Sequence, residues 1–333
     1  MSDYRSLSFE ELCALLEQAA PTLILLRRNP DAGTVGSAFA LRQALENMGS
    51  PTRCIGCDEI PSHLTFLMGN TQDSVLPDSL SEDFFPERVI SVGASNVAQL
   101  GALREIYEGQ VDLMLCHSES FTPFADYHLP EEAATTGEIL FDVVKDLAQR
   151  GLVTVTEALC TDLYAAISGE TGGFRSANVT PATHVRVAEL MASGIDHAAI
   201  SRRLFETRSM EQLRAVAAGI SNLHLFGDGR VAVILFPYAI KAALGLDDSH
   251  PDLLIDVAKS LEGVKLAVVL RQPTTEAVFR ISVRSLCHYD AASLCARFGG
   301  MGTARAAACT IHAADAEAAM EKFTESIDFS DLY

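Results

Sequence analysis

The sequence predicts an α/β protein: a parallel, doubly wound sheet, joined by a helical linker to a smaller α/β domain with a mixed sheet. Three observations support this prediction. Apolar runs of strand length alternate with amphipathic stretches of helix length across the first 200 residues. An arginine-rich helical segment then interrupts the alternation. A second set of strand-like runs follows, and 333 residues suffice for two domains of ordinary size.

The first half reads as strands followed by helices. The opening helix, SFEELCALLEQA, is predicted to begin after Ser8, with Glu11 completing a capping box. After the strand PTLILLR, the segment NPDAGTVGS predicts a turn, and the next helix is expected to end at Gly49. Further strands are predicted at PTRCIG, RVISVG and VDLMLCH, and further helices at NVAQLGALREIY, EEAATTGEILFDVVKDLAQRG and TEALCTDLYAAISGET. In such a sheet the carboxyl ends of the strands converge on the ligand crevice.

The sequence as a whole predicts a first domain over residues 1–200, a helical linker over 201–225 and a second domain over 226–333. The linker reads ISRRLFETRSMEQLRAVAAGI. Strands are predicted at VAVILF, VKLAVVLRQ and AVFRISVRS, with helices at HPDLLIDVAKSLEG and ADAEAAMEKFTESI and a glycine-rich segment, FGGMGTARAAACTI, between the last strand and the last helix.

Composition narrows the classes of function. The net charge of −19 argues against duplex DNA as a partner, because proteins that bind duplex DNA usually have an excess of basic residues. Any nucleic-acid contact should therefore be local. The apolar runs are too short to span a bilayer, and no signal peptide is visible, so we expect a cytoplasmic protein without a membrane partner. The eight scattered cysteines are expected to be reduced.

The turn after the first strand carries a motif. It reads RRNPDAGTVGSAFAL, and Pro30, Asp31, Gly36 and Ser37 are spaced as in the pattern His-x-x-Pro-Asp-x-Asp-x-x-Gly-Ser. That pattern is the first motif of the DHH phosphoesterases, and the segment of this chain resembles it. Four further segments follow in that family's order: ISVGASNVAQLG, LCHSESFTPFADYHLPEEAATTGEIL, AAISGETGGFRSANVTPATHVRVAEL, and ISVRSL with FGGMGTARAAAC. From about residue 20 to 312 the chain resembles this family, in the branch of the nanoRNases, the phosphoadenosine-phosphate phosphatases and RecJ, with a DHH-associated domain.

The resemblance implies two-metal hydrolysis, with manganese or magnesium as the cofactor if the chain is active. The implied ligand positions hold Arg27, Asp31, Gly33, Gly93, His117 and Glu170. Most of the metal ligands are therefore replaced. Asp31, His117 and Glu170 remain as the candidate metal ligands and as remnants of the catalytic set.

Arg27 stands where the family has a histidine. A guanidinium cannot coordinate a metal and stays charged near neutral pH. Arg27 is therefore expected either to replace one metal electrostatically and hold a phosphate, or only to pair with Asp31. For Glu170, a pair with Arg175 or with Arg27 is expected.

In the second domain, the resemblance implies that an Arg-Ser pair and a glycine loop hold the substrate. The matching residues are Arg284, Ser285, Gly299, Gly300 and Gly302, with Arg305 expected to reinforce the loop. The alternative is that the glycines only form a tight turn. Phe174 and Tyr289 are the candidates for stacking on bases.

Three functions stay open on these residues. The first is binding of a small phosphorylated ligand, or of short single-stranded RNA or DNA, in the cleft between the domains, with hydrolysis lost or much reduced. The second is an active metal-dependent phosphoesterase of the oligoribonuclease or 3′-phosphoadenosine 5′-phosphate phosphatase type. The third is a scaffold for protein interactions. A homodimer is possible in each case.

Overall fold

Two units make up the chain in the computed structural model, Met1–Thr207 and Arg208–Tyr333. The structure describes residues 4–69, 75–118, 121–128, 133–247 and 253–332. The unit boundary falls inside the segment that we predict as a linker. All eight cysteines are free. Among the described residues, no helix is long and apolar enough to cross a membrane.

The first unit contains five strands and seven α-helices within its described residues. The strands are β1 (Thr22–Leu26), β2 (Thr52–Ile55), β3 (Arg88–Val92), β4 (Leu113–Leu115) and β5 (Asp126–Tyr127). The helices are α1 (Phe9–Glu17), α2 (Ala32–Asn47), α3 (Arg104–Tyr107), α4 (Thr136–Gln149), α5 (Glu157–Glu170), α6 (Pro181–Ala192) and α7 (His197–Ser201). Shorter 3₁₀-helices span Ser62–Met68, Pro77–Ser79 and Val97–Leu103, and a π-helical turn spans Arg202–Glu206.

The five strands form one parallel sheet in the order β2-β1-β3-β4-β5. Alternate residues of β1 enter two separate apolar clusters. Ile24 and Leu26 pack among residues of α2, α4, α5 and α6, whereas Leu23 and Leu25 pack among residues of Val97–Leu103 and the chain around β4. Since successive side chains of a strand point to opposite faces, the sheet is covered on both faces. This confirms the parallel, doubly wound sheet.

The segment NPDAGTVGS is mostly helical, so the turn predicted there is too long. Helix α2 begins at Ala32, and the Asp31 carboxylate caps it by accepting a hydrogen bond from the Thr34 amide at 2.9 Å. Gly33 and Gly36 lie inside the helix. A Cβ at Gly36 would lie 2.4 Å from the Asp162 carbonyl oxygen of α5, so glycine allows the two helices to pack closely.

Two other predicted helices differ from the structure. NVAQLGALREIY forms the 3₁₀-helix Val97–Leu103 followed by α3, because Gly101 adopts a φ of 60° and breaks the run. Helix α4 begins later than predicted, at Thr136. The Thr135 hydroxyl accepts a hydrogen bond from the Glu138 amide and so caps the helix. Residues 131–132 of that predicted helix lie outside the described residues.

The second unit contains a six-stranded mixed sheet in the order β10-β11-β9-β8-β7-β6. Its strands are β6 (Leu223–Phe226), β7 (Val231–Phe236), β8 (Leu266–Arg271), β9 (Val278–Ser285), β10 (Met301–Gly302) and β11 (Ala306–His312). Its helices are α8 (Met210–Ser221), α9 (Tyr238–Ala243), α10 (Leu254–Lys259), α11 (Ala291–Ala296) and α12 (Ala316–Thr324). Only β7 and β8 pair in parallel. The mixed sheet is confirmed.

Five elements of this unit are absent from the sequence prediction: β6, α9, α11, β10 and β11. The last two strands arise from the segment that we predict only as glycine-rich. Strand β6 is short and half-exposed, so it lacks the apolar run that identified the others. Helix α11 has six residues and is capped by the Asp290 carboxylate. Of the predicted helix HPDLLIDVAKSLEG, residues 250–252 lie outside the described residues, and α10 forms its middle part.

Candidate functional site

The candidate site of the first unit lies at the carboxyl edge of the parallel sheet. Arg27 follows β1, Gly93 follows β3, and His117 lies two residues after β4. Helix α2 begins at this edge, since Asp31 caps it only five residues after β1. Helix α5 ends with Glu170, which is hydrogen-bonded to the start of α4. The topology thus brings the sequence-predicted residues of this unit to one place.

Arg27 and Asp31 form an ion pair. The Arg27 Nη2 lies 3.0 Å from the Asp31 Oδ2. The other carboxylate oxygen, Oδ1, accepts hydrogen bonds from the Thr34 amide at 2.9 Å and from the Thr34 hydroxyl at 2.8 Å. Within the described part of the chain, the buried Nε of Arg27 has no hydrogen-bond partner. Asp31 therefore fixes both the helix start and the guanidinium, while one buried donor of Arg27 remains unsatisfied.

Glu170 is held by Thr136 rather than by an arginine. Its carboxyl oxygens accept hydrogen bonds from the Thr136 amide at 2.7 Å and from the Thr136 hydroxyl at 3.1 Å. Arg175 instead donates its Nε to the Gly172 carbonyl at 2.6 Å. The expected pairs of Glu170 with Arg175 or Arg27 are wrong, because neither occurs among the described ion pairs.

The environment of Glu170 favours its neutral form. Burial raises the pKa of the Glu170 carboxyl to about 8, and the negative charge of Asp31 adds to this shift, although the hydrogen bonds from Thr136 oppose it. At neutral pH most Glu170 side chains are therefore protonated.

Neighbouring side chains occupy the space beside both glycines of the site. A Cβ at Gly33 would lie 2.2 Å from the Cγ of Glu170. A Cβ at Gly93 would lie 2.4 Å from the hydroxyl oxygen of Thr34, and Gly93 has a left-handed φ of 79°. The volume in which the family's aspartates would project is thus filled, at Gly33 by Glu170 and at Gly93 by Thr34.

Cys116 and His117 follow β4 and lie at the same edge of the sheet. The His117 amide donates a hydrogen bond to the Thr136 hydroxyl at 3.2 Å, so Thr136 connects His117 to Glu170. Burial raises the pKa of the Cys116 thiol to about 12, which keeps it a neutral thiol at physiological pH.

The residues of this edge do not fit the two-metal set that the resemblance implies. Arg27 places a cation at one implied ligand position, and the space beside Gly33 and Gly93 is filled. In the described ranges of the chain, no three His, Cys, Asp or Glu residues form a group that could hold a metal ion. This holds for Asp31, His117 and Glu170, which lie at the same edge without forming a common ligand set.

In the second unit, the side chains of Arg284 and Ser285 lie on opposite faces of the sheet. Ser285 is buried in the same phase as Ile281 and Val283, and its hydroxyl donates to the Cys287 carbonyl at 3.2 Å. Arg284 is half-buried on the other face, where burial lowers the pKa of its guanidinium and Asp256 opposes the shift. The structure does not bring these two side chains together.

The glycine loop is shaped by β11. A Cβ at Gly300 would lie 2.3 Å from the Ala308 carbonyl oxygen, and a Cβ at Gly302 would lie 2.4 Å from the Ala306 carbonyl oxygen. Gly299 has a φ of 70° and open space around it. Arg305 is exposed, and its carbonyl accepts the Ser285 amide at 2.9 Å. Close backbone packing by itself accounts for Gly300 and Gly302.

Three side chains change the sequence interpretation of the site. Thr34 and Thr136 were missed, although a Thr-x-x-Glu pattern from Thr135 to Glu138 marks the helix start beside Thr136. Tyr289 is buried, and its hydroxyl accepts the Asp328 amide at 3.2 Å, so its ring does not offer a stacking surface.

No family model matches the chain. Two curated proteins are similar to it over most of its length. The chain is 26% identical over 309 residues to the bifunctional oligoribonuclease and PAP phosphatase NrnA of Thermus thermophilus, covering 92% of this chain and 89% of that protein. It is 19% identical over 284 residues to a probable protein of the same name from Streptococcus mutans, covering 84% and 86%.

Solved structures show the same fold. An exopolyphosphatase-related protein from Bacteroides fragilis superimposes with a TM-score of 0.85 at 20% identity, over 95% of both chains. The exonuclease RecJ bound to manganese gives a TM-score of 0.54 at 15% identity, over 98% of this chain and 94% of that one. The fold is thus that of the RecJ-like α/β proteins. Over most of its length the chain is similar to proteins named as oligoribonucleases and PAP phosphatases, which agrees with its resemblance to the nanoRNase and PAP phosphatase branch of the DHH phosphoesterases.

Proposed function

We propose that this DHH-family protein binds the phosphate of a nucleotide or short oligonucleotide, and that its metal-dependent hydrolysis is lost or much reduced. The observation that carries the proposal is the filled space at the sheet edge. Glu170 occupies the volume beside Gly33, Thr34 occupies the volume beside Gly93, and Arg27 provides a fixed positive charge. A guanidinium suits a phosphate through directed N–H donors and does not require a metal.

The positions of the donors support this binding mode. Arg27 keeps a buried Nε without a partner in the described structure, which a phosphate oxygen would satisfy. In the second unit, Arg284 and the exposed Arg305 are the candidate phosphate ligands, with Gly299, Gly300 and Gly302 shaping the loop beside them.

The second candidate function is an active phosphoesterase of the oligoribonuclease or PAP phosphatase type. It is favoured by the names of the relatives, which match 84% or more of this chain. Asp31, His117 and Glu170 would be the residues to hold manganese or magnesium. The binding of a nucleotide phosphate is common to both candidates, so they differ only in turnover.

Hydrolysis assays separate the two. The substrates are a short oligoribonucleotide and 3′-phosphoadenosine 5′-phosphate, each with manganese and with a chelator. We expect no metal-dependent turnover, together with stabilisation of the protein by the nucleotide in a thermal melt. Manganese-dependent turnover that is lost in His117→Ala would instead establish the active enzyme. A protein that shows neither turnover nor stabilisation would point to a scaffold.

A further inference from the structure

A surface of exposed arginines and aromatic rings adjoins the candidate site on the first unit. We call it the basic aromatic surface and define it by Phe174, Arg175, His184, Arg202 and Arg203. It begins four residues after Glu170, because the loop that follows α5 leads directly to Phe174 and Arg175. Chain continuity therefore connects the candidate site to this surface.

Phe174 has an unusual backbone conformation. Its φ of 64° lies in the left-handed region, which a bulky side chain rarely adopts. The conformation directs its ring towards His184, 5.5 Å away between centroids, and towards Tyr164, 6.2 Å away. His184 is exposed on α6. Strained backbone is retained where the surrounding structure requires it, often at binding sites.

The arginines come from two segments that pack together. A Cβ at Gly173 would lie 3.5 Å from the ring of Phe205, so the loop carrying Arg175 contacts the π-helical turn Arg202–Glu206. Arg203 places its guanidinium 4.8 Å from the centre of the Phe66 ring. Such a cation–π contact orients the guanidinium while it remains in contact with water.

These arginines differ from most others of the first unit. Among the described residues, Arg5, Arg42, Arg104, Arg150 and Arg186 each form an ion pair with a carboxylate. Arg175, Arg202 and Arg203 are exposed and have no ion pair in the described ranges. Only Glu206 adds an exposed acid within the turn. In a chain of net charge −19, three adjacent cations without carboxylate partners form a local exception.

We propose that the basic aromatic surface binds the continuing strand of a single-stranded oligonucleotide whose terminal phosphate occupies the candidate site. His184, supported by the partly buried ring of Phe174, supplies a ring face for base stacking, and Arg175, Arg202 and Arg203 supply cations for the phosphodiester backbone. The proposal rests on the proposed function and extends it from a mononucleotide to a strand of several nucleotides. Duplex is disfavoured, since stacking requires bases that are not paired.

The test compares ligands of different length in the presence of a chelator, which prevents hydrolysis. The dissociation constants of 3′-phosphoadenosine 5′-phosphate and of a ten-nucleotide oligoadenylate are measured for the full chain. We expect the longer strand to bind at least about tenfold more tightly, since its further bases would stack on the surface and its further phosphates would meet the arginines. Arg202→Glu with Arg203→Glu should remove this gain, reduce its salt dependence, and leave the bisphosphate affinity unchanged.

Two further variants complete the test. His184→Ala should weaken only the longer strand, and a thermal melt checks that each variant is folded. The matched control is Arg104→Glu, an exposed arginine in α3, whose neighbours Leu103 and Tyr107 belong to the apolar cluster on the other face of the sheet. It should leave both affinities unchanged.

Each remaining outcome has a defined meaning. Equal affinity for the two ligands, or an equal loss in Arg104→Glu, would overturn the proposed surface. Failure of the bisphosphate to bind would contradict the proposed function instead. Arginine-dependent binding of the ten-nucleotide strand would then support the surface without that function.

Discussion

Gly33 and Gly93 of the first unit differ in their neighbours from Gly300 and Gly302 of the second unit. At Gly33 and Gly93 of the first unit, the nearest atoms to an added Cβ belong to the side chains of Glu170 and Thr34. At Gly300 and Gly302 of the second unit, the single nearest atom is a backbone oxygen of β11, from Ala308 and Ala306 respectively. Side chains can be substituted or rotated, whereas a strand backbone cannot move without breaking its pairing.

The difference shows what each set of glycines does. At Gly33 and Gly93, glycine is compatible with side chains that fill the space beside it. In the second unit, glycine is required by the closeness of two backbone segments. A glycine in a family motif therefore does not by itself indicate a ligand contact, and the surrounding atoms decide its role.

The largest effect is expected at Gly300. Gly300→Ala should lower the free energy of unfolding by about 3 kcal/mol, because the methyl group meets the Ala308 carbonyl oxygen and the Cys295 carbonyl oxygen. Urea unfolding measures the loss. Gly299→Ala is the matched control in the same loop. It meets no atom within 4 Å, so only its left-handed backbone should contribute, at about 1 kcal/mol. Equal losses would contradict the packing argument.

A smaller effect, which changes sign, is expected at Gly33. Gly33→Ala in the native background should destabilise the protein by about 2 kcal/mol, because the methyl group meets Glu170. In a Glu170→Ala background the same change should stabilise it by up to about 1 kcal/mol, through the higher helix propensity of alanine. The four variants form a double-mutant cycle in urea unfolding. If Gly33→Ala destabilised both backgrounds equally, Glu170 would not fill that space.

A third prediction concerns the pH dependence of stability. The pKa of Glu170 is about 8 in the folded protein and near its ordinary value of 4.5 when unfolded. Between these values the unfolded chain releases a proton that the folded chain retains, so stability should fall as the pH rises from about 4.5 to about 8. Glu170→Gln cannot titrate, and its melting temperature should fall less over this range. Parallel curves for the two proteins would contradict the assigned pKa.

Part of the fold and of the candidate site could be predicted from the sequence. Apolar runs identified β1, β3 and β7, and their order predicted the parallel and mixed sheets. Motif spacing placed Arg27, Asp31 and Glu170 at one edge. The filling of the space beside Gly33 was not predictable, since it depends on how closely α2 and α5 pack. The same limit applies to the Phe174 backbone, which its surroundings hold in the left-handed region.

Asp31→Asn tests the central claim, a phosphate site that works without metal. Asparagine preserves the helix cap but removes the charge that pairs with Arg27. The measurement is the thermal stabilisation by 3′-phosphoadenosine 5′-phosphate, with manganese and with chelator, for the native protein and the variant. We predict equal stabilisation in both conditions and a stronger effect in Asp31→Asn. Stabilisation that requires manganese and disappears in Asp31→Asn would show that Asp31 is a metal ligand and would contradict the account.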